Sequence, residues 1–232
     1  MTPQRQSKAR AIAIAKETHH DSLMRLALGL GLVFLALILA ISQARAAETT
    51  RILVFGDSLS AGYQLPDGEG FTGQLQDALV EAGLEVEVVN AAVSGDTTAS
   101  GLSRLDWSTP EGIDLVLLEL GANDALQGLP VDRAKANLAS MIEKFRQKGA
   151  KVALMGMRSP PNMGKDYVTA FDAIYPDLAE QHEIPLYPFF LEDVAGQPSL
   201  NLADGIHPTT EGISIIVKNV APFVQDIVKT LN

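Results

Sequence analysis

The chain contains no cysteine among its 232 residues, so disulfide bonds and thiolate-ligated metal sites are excluded. Histidine is also scarce, because only His182 and His207 lie beyond residue 46. Basic residues are outnumbered, with 18 Lys and Arg against 28 Asp and Glu and a formal net charge of -10. This balance argues against nucleic acid or an anionic membrane surface as the main partner.

A long apolar run distinguishes the N-terminus. Residues 26–41 carry no charge, follow Arg25 and precede the small-x-small motif Ala44-Arg45-Ala46, which is the layout of a secretory signal peptide. The 16 residues of this run are short for a membrane span, which needs about 20, although an uncleaved anchor is the alternative. We expect a signal peptide at residues 1–46, a periplasmic or secreted protein, and membrane contact through this segment alone if it stays uncleaved.

The remainder, residues 47–232, is predicted to be a single domain. It holds 12 basic and 26 acidic residues, a net charge of -14, which suits an aqueous compartment. The hydrophobic content of the whole chain, 47%, is enough for one core of ordinary size.

Apolar runs alternate with helical patterns from residue 50 onward. The predicted strands are residues 51–55, 85–90, 115–120, 151–155 and 185–187. Between and after them, apolar side chains recur at helical spacing: Phe71, Leu75 and Leu79 before Gly83; Leu102 and Leu105; Leu138, Ile142 and Phe145 before Gly149; Phe171, Ile174 and Leu178; and a long terminal stripe from Ile213 to Ile227 with Pro222 as a potential kink. Repeated β-α units predict a three-layer α/β/α sandwich with a five-stranded parallel sheet and right-handed crossovers.

Polar residues follow the predicted strands at the points where they end. Ser58 follows the first strand, residues 90–97 continue from the second, residues 121–124 follow the third, and residues 204–208 precede the terminal helix. Because open α/β sheets bind ligands at the carboxyl ends of their strands, we expect these turns to converge on one edge of the sheet.

The residue types in these turns suit acyl transfer. A serine hydroxyl needs an adjacent base, and His207, with Asp204 three residues earlier to orient its imidazole, is the candidate for Ser58. Negative charge on the former carbonyl oxygen needs fixed donors. The backbone N–H groups of Ser58 and Gly95 and the side-chain amide of Asn123 are candidates for this oxyanion hole.

The order of these motifs resembles that of the SGNH, or GDSL, hydrolases. The matching segments are Gly-Asp-Ser-Leu-Ser at residues 56–60, Gly95, Gly-Ala-Asn-Asp at residues 121–124 and Asp-Gly-Ile-His-Pro at residues 204–208. Residues 56–63 and 90–98 are most similar to the bacterial periplasmic arylesterase and acyl-thioesterase/lysophospholipase branch. The resemblance implies a flavodoxin-like fold, a catalytic triad of Ser58, Asp204 and His207, and an oxyanion hole of Ser58, Gly95 and Asn123. Ala122 stands where the family often has a second glycine.

This resemblance implies a carboxylic ester hydrolase that needs no cofactor or metal. Its implied substrates are small aryl or short acyl esters, acyl thioesters or lysophospholipids, and no residue selects among them. Two alternatives remain open: acyl transfer to a saccharide or other hydroxyl, and a non-catalytic ligand-binding protein on the same fold. Oligomeric state is not readable from the sequence.

Residues outside these motifs have simpler interpretations. Asp57 is interpreted as a structural hydrogen-bonding residue, His182 as a solvated side chain, and residues 67–69 as a solvated loop rather than a cation site. The turn-rich segment 158–165 is a candidate pocket wall. Four side chains are candidates for an acyl pocket, although core packing explains them nearly as well: Leu126, Met157, Met163 and Tyr167.

Overall fold

Five parallel strands form one sheet in the computed structural model, which describes residues 49–231 of the chain. The strands are β1 (Thr50–Gly56), β2 (Val86–Asn90), β3 (Leu115–Glu119), β4 (Lys151–Met155) and β5 (Leu186–Tyr187). Their order across the sheet is β2-β1-β3-β4-β5. The predicted strands are therefore confirmed, with bounds that differ by one residue or none. The predicted signal peptide, residues 1–46, lies outside the described residues.

The central strands are buried on both faces. Every residue from Ile52 to Phe55 in β1 and from Leu115 to Leu118 in β3 is fully inaccessible to solvent. Unbroken apolar runs of this kind are stable only when both faces of a parallel sheet are covered.

Helices on both faces supply that cover. The described helices are α1 (Ser58–Ala61), α2 (Phe71–Glu81), α3 (Thr98–Ser108), α4 (Ala122–Leu126), α5 (Val131–Gln147), α6 (Lys165–Asp172), α7 (Ile174–His182) and α8 (Thr210–Lys229), with a short 3₁₀ turn at Pro161–Met163. One group consists of α2 packed on α8, and the other of α3 and α7 packed on α5. The three-layer α/β/α prediction is confirmed.

The predicted apolar stripes face the core, with two differences in how the helices are divided. In α2, Phe71, Leu75 and Leu79 are buried. The stripe of residues 171–178 is shared by α6 and α7, which are separated at Ala173. The terminal helix α8 runs unbroken through Pro222. Pro222 and Lys218 lie on the exposed side, so the carbonyl that loses its helical hydrogen bond there faces water.

Strand order places the chemistry-bearing turns beside one another. The chain leaves β1 toward β2 on one side and later returns to β3 on the other. The turns after β1 and β3 are therefore neighbours at the carboxyl edge, but they lead away from each other. Such a switch point forms a crevice for ligands in doubly wound sheets. Among residues 49–231, no helix has the length and apolar character needed to cross a membrane.

Candidate active site

Ser58 is the first residue of the short helix α1, directly after β1 and the turn residue Asp57. The Asp57 carboxylate caps this helix by accepting a hydrogen bond of 3.0 Å from the backbone N–H of Leu59. Gly62 ends the helix in the left-handed region, at φ +83°. The turn leaves Ser58 only 8% exposed, so its hydroxyl has a fixed environment at the crevice.

A continuous hydrogen-bonded chain joins Ser58, His207 and Asp204. His207 Nε2 lies 2.8 Å from Ser58 Oγ, and His207 Nδ1 lies 2.7 Å from Asp204 Oδ2. The two ends of this chain are separated by 149 residues in sequence. Because each nitrogen of the ring has its own partner, the imidazole can move a proton between the hydroxyl and a substrate while the carboxylate holds the ring.

The loop of residues 204–207 organises its own carboxylate. Asp204 Oδ1 accepts hydrogen bonds from the backbone N–H groups of Ile206 (2.9 Å) and His207 (3.0 Å). These bonds, with the side-chain bond to His207, lower the pKa of Asp204 to about 2. The carboxylate is therefore ionised at neutral pH.

Tyr63, which follows the C-cap of α1, packs its ring against the imidazole of His207. The rings of Tyr63 and His207 have centroids 4.3 Å apart at an interplanar angle of 35°. The hydroxyl of Tyr63 accepts a 3.0 Å hydrogen bond from Gln64 Nε2, and Gln64 has the uncommon φ of +56°. Sequence reasoning assigned no role to Tyr63, since an aromatic residue after a helix C-cap has no distinctive signature.

Two backbone N–H groups that the sequence predicts as oxyanion donors have no acceptor among residues 49–231. Those of Ser58 and Gly95 donate no hydrogen bond to any acceptor in the described part of the chain. Gly95 has φ +87°, and a Cβ built there would meet no atom within 4 Å. Glycine is therefore required at this position by backbone conformation rather than by lack of space.

Asn123 lies on α4 and projects its amide toward the two other turns. Its Nδ2 donates to Asp57 Oδ2 (3.2 Å) and to the carbonyl of Asp96 (2.9 Å). Both amide hydrogens therefore have protein acceptors. Donation to an oxyanion requires one of these bonds to be shared or exchanged.

Two polar residues, Arg104 and Asp124, hold the turns in place, and sequence reasoning missed Arg104. Arg104, 4% exposed, donates to Asp96 Oδ2 at 2.5 Å and to the carbonyls of Ala91 (2.7 Å) and Gly56 (3.1 Å). It thus joins the loops that follow β1 and β2. Asp124 accepts from the backbone N–H and hydroxyl of Thr98, at 2.8 and 2.6 Å, and so joins α4 to the start of α3.

The turn that carries Ser58 contains one fully buried carboxyl group, that of Asp57, and packs on a second, that of Glu119. Burial raises the pKa of Asp57 to about 7, opposed by its hydrogen bonds from Leu59 and Asn123. Burial, and then the charge of Asp57, raise the pKa of Glu119 well above its usual range. Sequence reasoning interpreted Asp57 as structural, which these contacts support, but it overlooked Glu119. The available signal was one acidic residue inside an otherwise apolar strand.

The four acyl-pocket candidates separate into different environments. Met157 is 3% exposed and belongs to the hydrophobic core. The hydroxyl of Tyr167 donates to the carbonyl of Leu129 at 3.0 Å. Leu126 is 46% exposed, and Met163 is half-buried with its methyl group close to Gly128. Leu126 and Met163 therefore remain candidates for substrate contact, whereas Met157 serves the core.

Two other sequence interpretations have different outcomes. Residues 67–69 are exposed, and Glu69 accepts a 2.6 Å hydrogen bond from Thr210. This loop is therefore solvated, as predicted. His182 is only half-exposed, and its Nε2 is buried without a partner in the described region, so the prediction of a solvated side chain is wrong for this nitrogen.

Comparisons with known proteins show what this chain is similar to. Residues 54–214 match the model of the GDSL-like lipase/acylhydrolase family. The chain is 46% identical over 204 residues to an arylesterase of Vibrio mimicus, which covers 86% of this chain and 98% of that protein. It is 38% identical to thioesterase 1/protease 1/lysophospholipase L1 of Escherichia coli, over 85% and 93% of the two chains. The crystal structure of the psychrotrophic esterase EstA from a Pseudoalteromonas species, inhibited by monoethylphosphonate, superposes with a TM-score of 0.73 at 33% identity, over 78% of this chain and 99% of that one.

Proposed function

This chain belongs to the GDSL-like lipase/acylhydrolase family, and we propose that it hydrolyses carboxylic esters through an acyl-enzyme formed on Ser58. The sequence relatives are named for arylesterase, thioesterase and lysophospholipase activities, so the proposed substrates are small aryl or acyl esters and thioesters. Ester hydrolysis follows from the family, whereas the triad and the covalent intermediate are our assignment.

One observation supports this mechanism above all others: the unbroken contact from Ser58 Oγ through the His207 ring to Asp204. A hydroxyl alone is a weak nucleophile, and a neutral imidazole at 2.8 Å is within reach to remove its proton as it attacks. The Asp204 carboxylate then stabilises the imidazolium that forms and keeps Nδ1 protonated.

The first half of the cycle acylates the serine. Ser58 Oγ attacks the carbonyl carbon while its proton passes to His207 Nε2. The carbonyl oxygen becomes an oxyanion that receives hydrogen bonds from the N–H groups of Ser58 and Gly95 and from Asn123. Collapse of the tetrahedral intermediate expels the alkoxide, phenolate or thiolate, which takes the proton from His207.

The second half returns the free enzyme. Water attacks the acyl-serine as His207 removes its proton, the same oxyanion hole holds the second tetrahedral intermediate, and the carboxylic acid leaves as Ser58 recovers its proton. Apart from the attacking water, every group that these steps use belongs to this chain, so the proposed mechanism needs no cofactor.

The decisive experiment replaces Ser58 by alanine. Ser58→Ala should abolish turnover of a short p-nitrophenyl ester and labelling by a fluorophosphonate probe, with circular dichroism unchanged. Ser214→Ala, at an exposed serine on α8, is the matched control and should retain both activities. Hydrolysis by pure Ser58→Ala at the rate of the unmodified protein would refute the assignment.

Product analysis on the same samples separates hydrolysis from the two alternatives. Release of free acid in the presence of a saccharide acceptor supports hydrolysis, whereas transfer of most acyl groups to the sugar would show an acyltransferase. A protein inert toward both the ester panel and the fluorophosphonate would instead be a binding protein.

A further inference from the structure

Glu119 is a buried acid that the proposed triad and oxyanion hole do not use. It ends β3 and is completely inaccessible to solvent. Its Oε2 accepts hydrogen bonds from Ser60 Oγ (2.8 Å) and from the backbone N–H of Asp57 (3.3 Å). Its Oε1 is buried without a hydrogen-bond partner among residues 49–231. An isolated buried carboxyl group is unfavourable. A role in function would explain why Glu119 is present at this position.

The carboxyl group packs directly against the turn that carries the nucleophile. A Cβ added to Gly56 would lie 2.2 Å from Ser60 Oγ and 2.6 Å from Glu119 Oε2. These separations leave no space between the turn and the acid. The side chain at residue 119 therefore determines the position of residues 56–60.

The same turn determines where the oxyanion donors lie. Ser58 lies between Asp57 and Ser60, the two residues that donate hydrogen bonds to Glu119. Asp57 in turn accepts the 3.2 Å bond from Asn123 Nδ2. A shift of Asp57 would thus move both the N–H of Ser58 and the amide of Asn123.

We propose that Glu119 is a positioning residue, which fixes residues 56–60 through Ser60 and the Asp57 N–H and so aims the Ser58 and Asn123 donors at the reacting carbonyl oxygen. It does not touch substrate. The inference rests on the proposed function, because it concerns how that oxyanion hole is held in place.

We expect Glu119 to serve this role as a neutral acid. No Lys, Arg or His side chain in the described region donates a hydrogen bond to it, and the charge that acts on it is that of the Asp57 carboxyl group. Burial and that charge raise the pKa of Glu119 well above its usual range. A neutral carboxyl oxygen accepts from Ser60 and Asp57 as an amide oxygen would, so glutamine should replace it.

Four variants of the full chain test the proposal, with kcat and KM measured on a p-nitrophenyl ester and the rate of fluorophosphonate labelling measured alongside. Glu119→Leu, which removes the acceptor, should lower kcat and the labelling rate about 100-fold while KM stays nearly constant, as when an oxyanion donor is lost. Glu119→Gln should stay within about threefold of the original and keep its pH profile, since neither form carries a charge.

The other two variants separate positioning from stability. Leu138→Ala removes core volume from α5 and should lower stability while kcat per folded molecule is unchanged. Ser60→Ala keeps Glu119 but removes one of its two donors, and should lower kcat about 10-fold without loss of fold. Ser60→Ala decides the question if Glu119→Leu does not fold.

Several results would overturn the proposal. One is full activity in Glu119→Leu, or, where that variant is unfolded, in Ser60→Ala. Another is an equal loss in Glu119→Gln and Glu119→Leu, which would show that the charge rather than the acceptor matters. A third is a loss of kcat in Leu138→Ala that matches Glu119→Leu at equal stability.

The proposed function fails separately, through activity that survives Ser58→Ala. The Glu119 variants are compared with the unmodified enzyme, so their result can contradict the positioning role while the Ser58 assignment stands.

Discussion

Asp204 is the most exposed member of the proposed triad, with 38% of its side chain accessible against 17% for His207. Its orientation is nevertheless fixed, because one oxygen holds two backbone N–H groups and the other holds the ring. Asp204→Asn would present an amide N–H to His207 Nδ1 and favour the wrong tautomer. We expect kcat for ester hydrolysis to fall by roughly 100-fold or more, with KM little changed.

The pH profile of the unmodified enzyme provides a second check on Asp204. A pKa of about 2 keeps this carboxylate ionised, so loss of activity between pH 5 and pH 7 must come from a different group. An acid limb that disappears in Asp204→Asn while the rate on its plateau is preserved would contradict the proposed role.

The buried acids Asp57 and Glu119 predict how stability depends on pH. Their pKa values are raised in the folded protein, so the folded state holds protons that the unfolded state releases above about pH 4. The free energy of unfolding should therefore fall as pH rises from about 4 to about 7, the folded pKa of Asp57, and continue to fall above that until Glu119 ionises.

Urea denaturation at pH 5 and pH 8 measures this dependence. Glu119→Gln should lose less stability than the unmodified protein over that interval, because it lacks one of the two titrating groups. Glu143→Gln, at an exposed position of α5, should behave like the unmodified protein. Equal losses in all three proteins would contradict a neutral Glu119.

The candidate catalytic side chains were easier to predict than the side chains that support them. Ser58, Asn123 and His207 follow predicted strand ends or precede a helix, in motifs whose chemistry is readable. Glu119 and Arg104 have ordinary sequence surroundings, and their role depends on contacts with residues 57, 60 and 96 that only the folded chain creates. Sequence also could not show that Asn123 already has two acceptors.

Helix α3 supplies a buried cation that fastens two loops together. Arg104 and Asp96 expose 5% and 9% of their side chains, and the guanidinium lies 3.9 Å from the centre of the Phe55 ring. Arg104→Met would leave Asp96 charged and unpaired, so we expect the free energy of unfolding to fall by about 3–5 kcal/mol. The rate of ester hydrolysis should fall too, because Gly95 precedes Asp96 in the same loop.

Lys144→Met is the matched control for the loss of an ion pair. Lys144 pairs with Asp106 at 2.6 Å, with 40% and 62% of their side chains exposed, and such surface pairs contribute about 0–1 kcal/mol. Urea denaturation of both variants at pH 7 compares them. A loss in Arg104→Met no larger than in Lys144→Met would show that the buried pair does not stabilise the loops.

Strands were predictable because burial on both faces demands continuous apolar runs, as in residues 52–55 and 115–118. The points at which one helix ends and the next begins were harder to predict. The stripe of Phe171, Ile174 and Leu178 indicates a buried face but does not reveal the break at Ala173, because the residues on both sides keep the same spacing. Periodicity reports which side of a helix is buried rather than where one helix ends and the next begins.

At the scale of the whole molecule, strand order converts distant motifs into one site. Because β1 lies between β2 and β3, the turns that carry Ser58, Gly95 and Asn123 are neighbours at the carboxyl edge. The loop with His207 reaches the same edge just before α8, which packs on α2. The alternation of strands and helices predicts this convergence, but the 2.8 Å contact of Ser58 with His207 depends on the detailed path of the last loop.

The boundary between export segment and domain gives a last prediction. We propose that residues 47–232 form the mature protein, because β1 begins at Thr50, soon after the Ala44-Arg45-Ala46 motif. When the full chain is expressed in a Gram-negative host, the periplasmic protein should begin at Ala47, as N-terminal sequencing and intact mass would show. Ala46→Arg should block cleavage, because the peptidase accepts small residues there, and hold the enzyme on the membrane. Recovery of the unmodified chain in the membrane with residues 1–46 attached would favour the uncleaved anchor.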